Sequence, residues 1–284
     1  MRMPAALLVG ILSFAATDAL AQCAPPVQRL LTDRKFAAAQ AELRAQLARA
    51  PNDDAAMDCM GRLRIEQGDA GDAVDWLDKA LAINGRSAAH HLGLANALRA
   101  QAPTASAFRM PFMAKRMKSE YEQAIALDGS LLDAHQGLFV FLVNAPGVMG
   151  GGIDKAREEA AAISKLSPMR GHLDYGTLAD HDKDYAGAER QFLAAIAAAP
   201  DNAIPYNATG AFYRRRERWS DAIAMYDQAL KAKPEPPSAA NAHYGLGMVH
   251  QSNGRRDQAR AEFQAALAIN PTHDEANKAL ASLK

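Results

Sequence analysis

The strongest constraint on the fold of this 284-residue chain is a set of small and aromatic residues that returns along it at a fixed spacing. The second copy follows the first by 34 residues, and the third follows the second by 37. The copies are Gly176, Ala188, Phe192, Ala195 and Pro200; Gly210, Ala222, Tyr226, Ala229 and Pro234; and Gly247, Ala259, Phe263, Ala266 and Pro271. A period of this length indicates a repeat array, in which each unit buries its apolar face against the next.

This pattern resembles the signature of the tetratricopeptide-repeat (TPR) family over most of residues 24–273. In that family a small residue lets helix A approach its neighbour, an alanine lets helix B lie close to helix A, an aromatic fills the gap, and a proline ends helix B. The resemblance implies an all-α, right-handed solenoid of helical hairpins that binds proteins or peptides and catalyses nothing.

We expect six to seven hairpins within residues 22–284, followed by a capping helix at 274–284. Four units begin near residues 54, 169, 203 and 240, and residues 22–53 form a weaker unit recognised from Ala39, Leu43 and Pro51. The step of 37 residues is explained by three extra residues in a proline-rich connector at 235–238.

Units near residues 88 and 130 carry insertions near 103–112 and 144–152, each between helix A and helix B. Their apolar side chains are predicted to form one patch, either packed for stability or exposed as a protein-binding lip. These side chains are Phe108, Met110, Phe112, Val148 and Met149. Residues 145–152 also look like an insertion found in some exported bacterial TPR proteins.

Residues 1–21 are typical of a secretory signal peptide. Arg2 is followed by a short apolar run from Ala5 to Ala16 and by a small-x-small site at residues 19–21. We expect cleavage after Ala21 and a periplasmic or secreted product; the alternative is an ordinary buried N-terminal helix. No later stretch is apolar for long enough to span a bilayer.

The chain has two cysteines, Cys23 and Cys59. In an oxidising compartment they would form a disulfide between the first two units. Two alternatives stay open, which are two free thiols and lipidation of Cys23, because residues 20–23 resemble a lipobox. Lipidation would make the protein a membrane-attached accessory factor of envelope assembly.

The 32 basic and 32 acidic residues balance, which gives no reason to expect nucleic acid as a partner. The glycines at 150–152 are not a P-loop, since Lys155 is followed by alanine and no strand is predicted before them. The eight histidines form no metal-binding motif. We expect no cofactor and no metal, and the alternative of an enzyme would need a site built from scattered histidines and carboxylates.

By the register of the TPR family, ligand-facing positions of helix A fall in three neighbouring units. They are His181, Asn207, Arg214, Arg215, Tyr244, Met248 and Gln251. The arginines favour an acidic peptide or a C-terminal carboxylate. The carboxylate clamp of some chaperone-binding TPR proteins is not expected, because Leu173, Thr177 and Ala211 occupy three of its comparable positions.

Overall fold

The computed structural model describes residues 23–232 and 234–283. Over these ranges it contains fifteen α-helices, two short 3-10 turns and no strand, and the predicted all-α fold of helical hairpins is confirmed. The expected signal peptide and its cleavage site lie outside the described residues.

Fourteen of the helices pair into seven hairpins, and the fifteenth follows alone. The hairpins are α1 (Pro25–Thr32) with α2 (Phe36–Arg49), α3 (Asp54–Glu66) with α4 (Ala70–Ile83), α5 (Ala88–Gln101) with α6 (Met110–Leu127), α7 (Leu132–Asn144) with α8 (Ile153–Leu166), α9 (Pro168–His181) with α10 (Tyr185–Ala198), α11 (Ala203–Arg215) with α12 (Trp219–Lys231), and α13 (Pro236–Ser252) with α14 (Arg256–Ile269). The last helix is α15 (Asp274–Ser282).

The described chain divides into two compact units, an N-terminal unit of residues 23–159 and a C-terminal unit of residues 160–283. In the N-terminal unit α3 contacts α5 and α5 contacts α7. In the C-terminal unit α9 contacts α11, α11 contacts α13, and α13 contacts α15. Each unit therefore contains a layer of A helices, and the B helices pack on it.

The hairpins without an insertion share one turn geometry between helix A and helix B. Two residues before helix B begins, each turn has a backbone φ in the left-handed region, between 55° and 81°. These residues are Arg34, Gly68, Lys183, Glu217 and Gly254. The hairpins α5–α6 and α7–α8 replace this tight turn with their insertions, so both loops emerge at the same end of their hairpins.

Tyr226 shows why small residues recur in helix A. Its ring lies between α11 and α13, against Gly210 and Gly245. A Cβ atom at Gly245 would lie 2.3 Å from Cζ of Tyr226, and one at Gly210 would lie 2.8 Å from Cε1. Because the hydroxyl-bearing ring is almost entirely buried, only glycine lets both A helices approach it.

Two expectations about loops were wrong. Met110 and Phe112 belong to the first turn of α6, so the first insertion is partly an extension of helix B to 18 residues. Pro236–Ser238 form the first turn of α13 and not a connector, because proline lacks only an N–H that a helix start leaves unpaired. Both helices start at a proline-containing turn that the repeat pattern alone assigns to loop.

None of the described helices combines the length and the apolar character needed to cross a membrane.

Candidate functional site

The candidate residues of the C-terminal unit lie on adjacent A helices. Asn207 and Arg214 are seven residues apart on α11, which places them about 10 Å apart on one face. Tyr244 and Gln251 have the same spacing on the neighbouring α13. The structure therefore brings most of the predicted ligand-facing positions to the α11–α13 pair.

Arg215, unlike Arg214, already has an acidic partner inside the protein. Its Nη2 donates to Oδ2 of Asp180 at 3.0 Å, and Nη2 of Arg216 donates to Oδ1 of the same carboxylate at 3.1 Å. The Asp180 side chain is almost completely buried. A buried carboxylate needs this pairing, so the two arginines hold α11 against α9.

The remaining part of the basic cluster is also paired. Nη1 of Arg218 donates to both carboxylate oxygens of Glu189 at 2.9 Å, and its Nε donates to Asp221 at 2.6 Å. These contacts raise the pKa of Arg218. The hydroxyl of Tyr213 donates to Glu189 at 2.8 Å, and burial together with this carboxylate raises the pKa of Tyr213 to about 12.

Arg214 differs from its neighbours because it has no acidic partner in the part of the chain that the structure describes. It is half-buried, and its Nε makes no hydrogen bond there. Burial raises the pKa values of Tyr226 and Tyr244, and the positive charge of Arg214 partly offsets this rise. The guanidinium therefore lies within hydrogen-bonding reach of the Tyr226 hydroxyl, and its charge also acts on Tyr244.

Four other candidates make contacts inside the protein. Nδ2 of Asn207 donates to the carbonyl oxygen of Ser238 at 2.9 Å, while its Oδ1 is buried and accepts no hydrogen bond in the described chain. The other three interact with the end of the array: Tyr244 stacks on Phe263 and His273, Met248 packs on the cluster around Phe263, and Gln251 donates to Ser282 Oγ. These contacts are structural, and they leave Arg214 as the centre of the candidate site.

His181 ends α9 and stays exposed. Its Nδ1 lies 3.2 Å from Oδ1 of Asp182, the next residue in the chain. This local contact ties it to no other helix, so His181 is on the surface rather than in the group around Arg214.

The insertions, in the N-terminal unit, do not bury their largest side chains. Phe108, Phe112 and Val148 are 82%, 70% and 94% exposed. The expectation that the insertions bury their apolar side chains against each other is wrong. Of the five side chains, only Met110 and Met149 are partly buried. Their exposure leaves them available for a partner.

Cys23 and Cys59 form a disulfide, with their Cα atoms 5.7 Å apart. Both residues are buried in one apolar cluster with Val27, Leu31 and Met60. The bridge therefore connects the start of the first hairpin to α3 within a shared core.

Sequence reasoning missed a recurring pair between a histidine of helix A and a glutamate of helix B. His91 Nδ1 lies 2.6 Å from Glu120, and His135 Nδ1 lies 2.7 Å from Glu159. In the α13–α14 hairpin, His243 Nδ1 lies 2.7 Å from Glu262. The signal was present, because each glutamate directly precedes the same recurring position of helix B, which is Tyr121, Ala160 or Phe263.

A second missed feature is a buried ionic network between α3 and α5. Arg62 pairs with the fully buried Asp58 and donates to the carbonyl oxygen of Ala89 at 3.3 Å. His90 Nε2 lies 3.0 Å from Asp54 Oδ2. Burial opposes protonation of His90, but the carboxylates of Asp58 and Asp54 outweigh it and raise its pKa. These charges join two hairpins.

Over the described ranges, no group of three or more histidine, cysteine, aspartate or glutamate side chains is arranged to hold a metal ion.

Comparison with known proteins agrees with this architecture. A family model described as tetratricopeptide repeat matches residues 212–274. The chain is 29% identical over 115 residues to protein bimA of Emericella nidulans, covering 40% of this chain and 14% of that protein. It is 31% identical over 97 residues to the Hsp70-Hsp90 organizing protein of Triticum aestivum, covering 34% of this chain and 16% of that protein. The chain thus spans about a sixth or less of the length of these relatives.

A crystal structure of a tetratricopeptide repeat protein from Parabacteroides merdae superposes with a TM-score of 0.64 at 14% identity. The superposition covers 94% of this chain and 99% of that chain. At this sequence identity it supports a shared fold alone. Repeat spacing, hairpin packing and the family model over residues 212–274 agree that the chain contains tetratricopeptide repeats and has the fold of a tetratricopeptide-repeat solenoid.

Proposed function

We propose that this protein is a non-catalytic scaffold that binds a peptide or protein ligand at the α11–α13 face of its C-terminal unit. TPR proteins act as protein-interaction scaffolds, and the observation that carries this proposal is Arg214. Its half-buried guanidinium lacks an acidic partner among the described residues, whereas Arg215, Arg216 and Arg218 are all paired.

The ligand that suits Arg214 best is a carboxylate, either an acidic side chain or a free C-terminus. A guanidinium offers two parallel N–H groups to a carboxylate, and partial burial strengthens the bond. The Tyr226 hydroxyl lies within hydrogen-bonding reach of Arg214 and can orient its guanidinium. The Arg214 guanidinium gains a charged partner only when a ligand with a carboxylate binds, and this pairing favours binding.

We further propose that the protein works outside the cytoplasm, in the periplasm of an envelope-bearing bacterium. The support is the N-terminal sequence together with the Cys23–Cys59 disulfide, because such bridges persist in oxidising compartments. The rival lipoprotein function is less favoured. A sulfur atom that is bonded to Cys59 cannot carry a lipid at the same time.

An enzymatic function is less favoured for a similar reason. Four of the eight histidines are occupied in packing: His91, His135 and His243 each bind a glutamate, and His172 binds Gln191 at 2.8 Å. A general base must be free to reach a substrate proton. These side chains instead hold helix A to helix B.

The test is selection from a peptide library that carries free C-termini, followed by titration of the selected peptides. We expect selection of sequences with a terminal or side-chain carboxylate, and weaker binding of their amidated or Glu→Gln copies. Arg214→Gln should weaken binding by about 1.5–3 kcal/mol, the range for a hydrogen bond to a charged group.

The matched control is Arg190→Gln, which removes an exposed arginine from α10. It should leave the affinity unchanged. The proposal is wrong if neutral peptides are selected, or if Arg214→Gln and Arg190→Gln behave alike.

A further inference from the structure

The two insertions present an exposed apolar and basic surface that the peptide site does not use. We call it the insertion edge and define it by Phe108, Phe112, Val148, Arg109 and Lys115. All five side chains are exposed, and all five belong to the N-terminal unit, whereas Arg214 belongs to the C-terminal unit.

The aromatic part of the insertion edge is a pair of rings. The ring centroids of Phe108 and Phe112 lie 6.2 Å apart, in a tilted arrangement. Phe108 precedes α6 and Phe112 lies in its first turn. Both rings keep more than two thirds of their surface in water. Such exposure is unfavourable unless a partner covers it.

The second insertion lies against the same helix. Its 3-10 turn, Gly147–Met149, contacts α6. A Cβ atom at Gly150 would lie 3.3 Å from Cδ of Lys118. The tip of this turn is Val148, which is 94% exposed. Both insertions therefore project apolar tips beside α6.

The charge of these segments has one sign. Residues 102–118 contain four cations and no acid, and residues 144–153 contain no charged side chain. Arg116 pairs with Asp78, and Lys118 pairs with Glu122 at 3.2 Å. Arg109 and Lys115, the cations nearest to the two rings in sequence, have no ion-pair partner in the part of the chain that the structure describes. A neutral protein thus concentrates unpaired positive charge around exposed phenylalanines.

We propose that the insertion edge binds the surface of an anionic lipid bilayer. Protruding phenylalanine and valine tips enter the boundary between headgroups and acyl chains, and arginine and lysine beside them contact anionic headgroups. A bilayer accepts protruding tips without a matching cavity. A protein partner would need pockets shaped for three separate tips, so the bilayer fits this surface better.

The test measures co-sedimentation of the full chain with vesicles of phosphatidylcholine alone and with vesicles that also contain phosphatidylglycerol. We expect binding to the anionic vesicles, loss of that binding at high salt, and little binding to the neutral ones. Phe108→Ser with Phe112→Ser should weaken binding at least about tenfold. Arg109→Gln with Lys115→Gln should weaken it by about tenfold or more.

Two matched controls keep the composition comparable. Leu193→Ser removes an exposed apolar side chain from α10, and Lys165→Gln with Lys231→Gln removes two exposed cations. Both should bind vesicles as the wild type does. Thermal melts verify that the insertion-edge variants fold, which their exposure predicts.

Three results would overturn the proposal: no vesicle binding, equal binding to neutral and anionic vesicles, or full binding by either insertion-edge variant. If the chain binds neither kind of vesicle and a crosslinker at position 108 captures a protein, the surface is assigned to a protein partner instead. Peptide binding at Arg214 is measured separately, so failure of one proposal leaves the other standing.

Discussion

Reduction of the Cys23–Cys59 bridge should release the first hairpin while the rest of the N-terminal unit stays folded. Among the described helices, the hairpin of α1 and α2 contacts the array mainly through α3, with Val27 and Leu43 in the same buried cluster as Cys59. In repeat proteins a terminal unit is held by one neighbour, so it opens at the lowest cost in free energy.

The magnitude follows from the loop that the bridge closes. The cysteines are 36 residues apart. In the chain-entropy model, a bridge that closes a loop of this size restricts the opened hairpin. This restriction raises the free energy of opening by about 4 kcal/mol. Loss of that restriction should speed amide exchange in α1 and α2 by up to about a thousandfold, since 1.4 kcal/mol corresponds to a factor of ten.

The assay is hydrogen–deuterium exchange with and without a reducing agent, with free thiols titrated in each sample. A Cys23→Ala, Cys59→Ala variant serves as the control, and its exchange should not respond to the reducing agent. Two reactive thiols in the oxidised, unfolded protein would show that the bridge is absent. Equal exchange of α1 and α2 before and after verified reduction would refute the entropic reasoning.

Two further substitutions and one pH dependence test the packing. Gly245→Ala should lower stability by about 1–3 kcal/mol in thermal melts, because its methyl group would overlap the buried Tyr226 ring. Asp180→Ala should cost about 1.5–3 kcal/mol in urea titrations, because it removes two charge-assisted hydrogen bonds at once. The Glu159 carboxylate outweighs burial and raises the pKa of His135 above 6.5. This pair should therefore stabilise the fold fully below about pH 6.5 and lose that contribution as the pH rises through the pKa of His135 in the folded state.

Two of these predictions have a check. Gly71→Ala places its methyl group no nearer than 3.7 Å to another atom and should not destabilise α4. A stable Gly245→Ala protein would show that α11 and α13 are not closely packed around the ring. For His135, NMR titration should give a pKa that falls in Glu159→Gln; a wild-type pKa at or below 6.5 would contradict the pairing.

The sequence predicts the fold well because the repeat positions are set by packing. Gly210 and Tyr226 recur in register since no larger residue fits against the ring, and such steric requirements are visible in one sequence. Helix starts are harder to place. A proline at 236 suggests a connector, yet the same residue suits the first turn of a helix, and only the structure decides between them.

Ligand-facing positions could be predicted only as a set. The family register places Arg214 and Arg215 alike, but Asp180 on the preceding A helix takes Arg215 and leaves Arg214. That choice depends on side-chain geometry between helices 35 residues apart in sequence, which periodicity does not encode. The same limit explains why the His135–Glu159 pair was missed, although both residues stand at recurring positions.

The most direct test of the proposed scaffold function is a hydrogen-exchange footprint of the selected carboxylate peptide on the full chain. We expect new protection in α11 and α13 around Arg214 and Tyr244, and none of it in the Arg214→Gln variant at the same peptide concentration. Protection confined to the B helices or to the N-terminal unit would contradict it. Equal protection of the wild type and of the Arg214→Gln variant would contradict it as well.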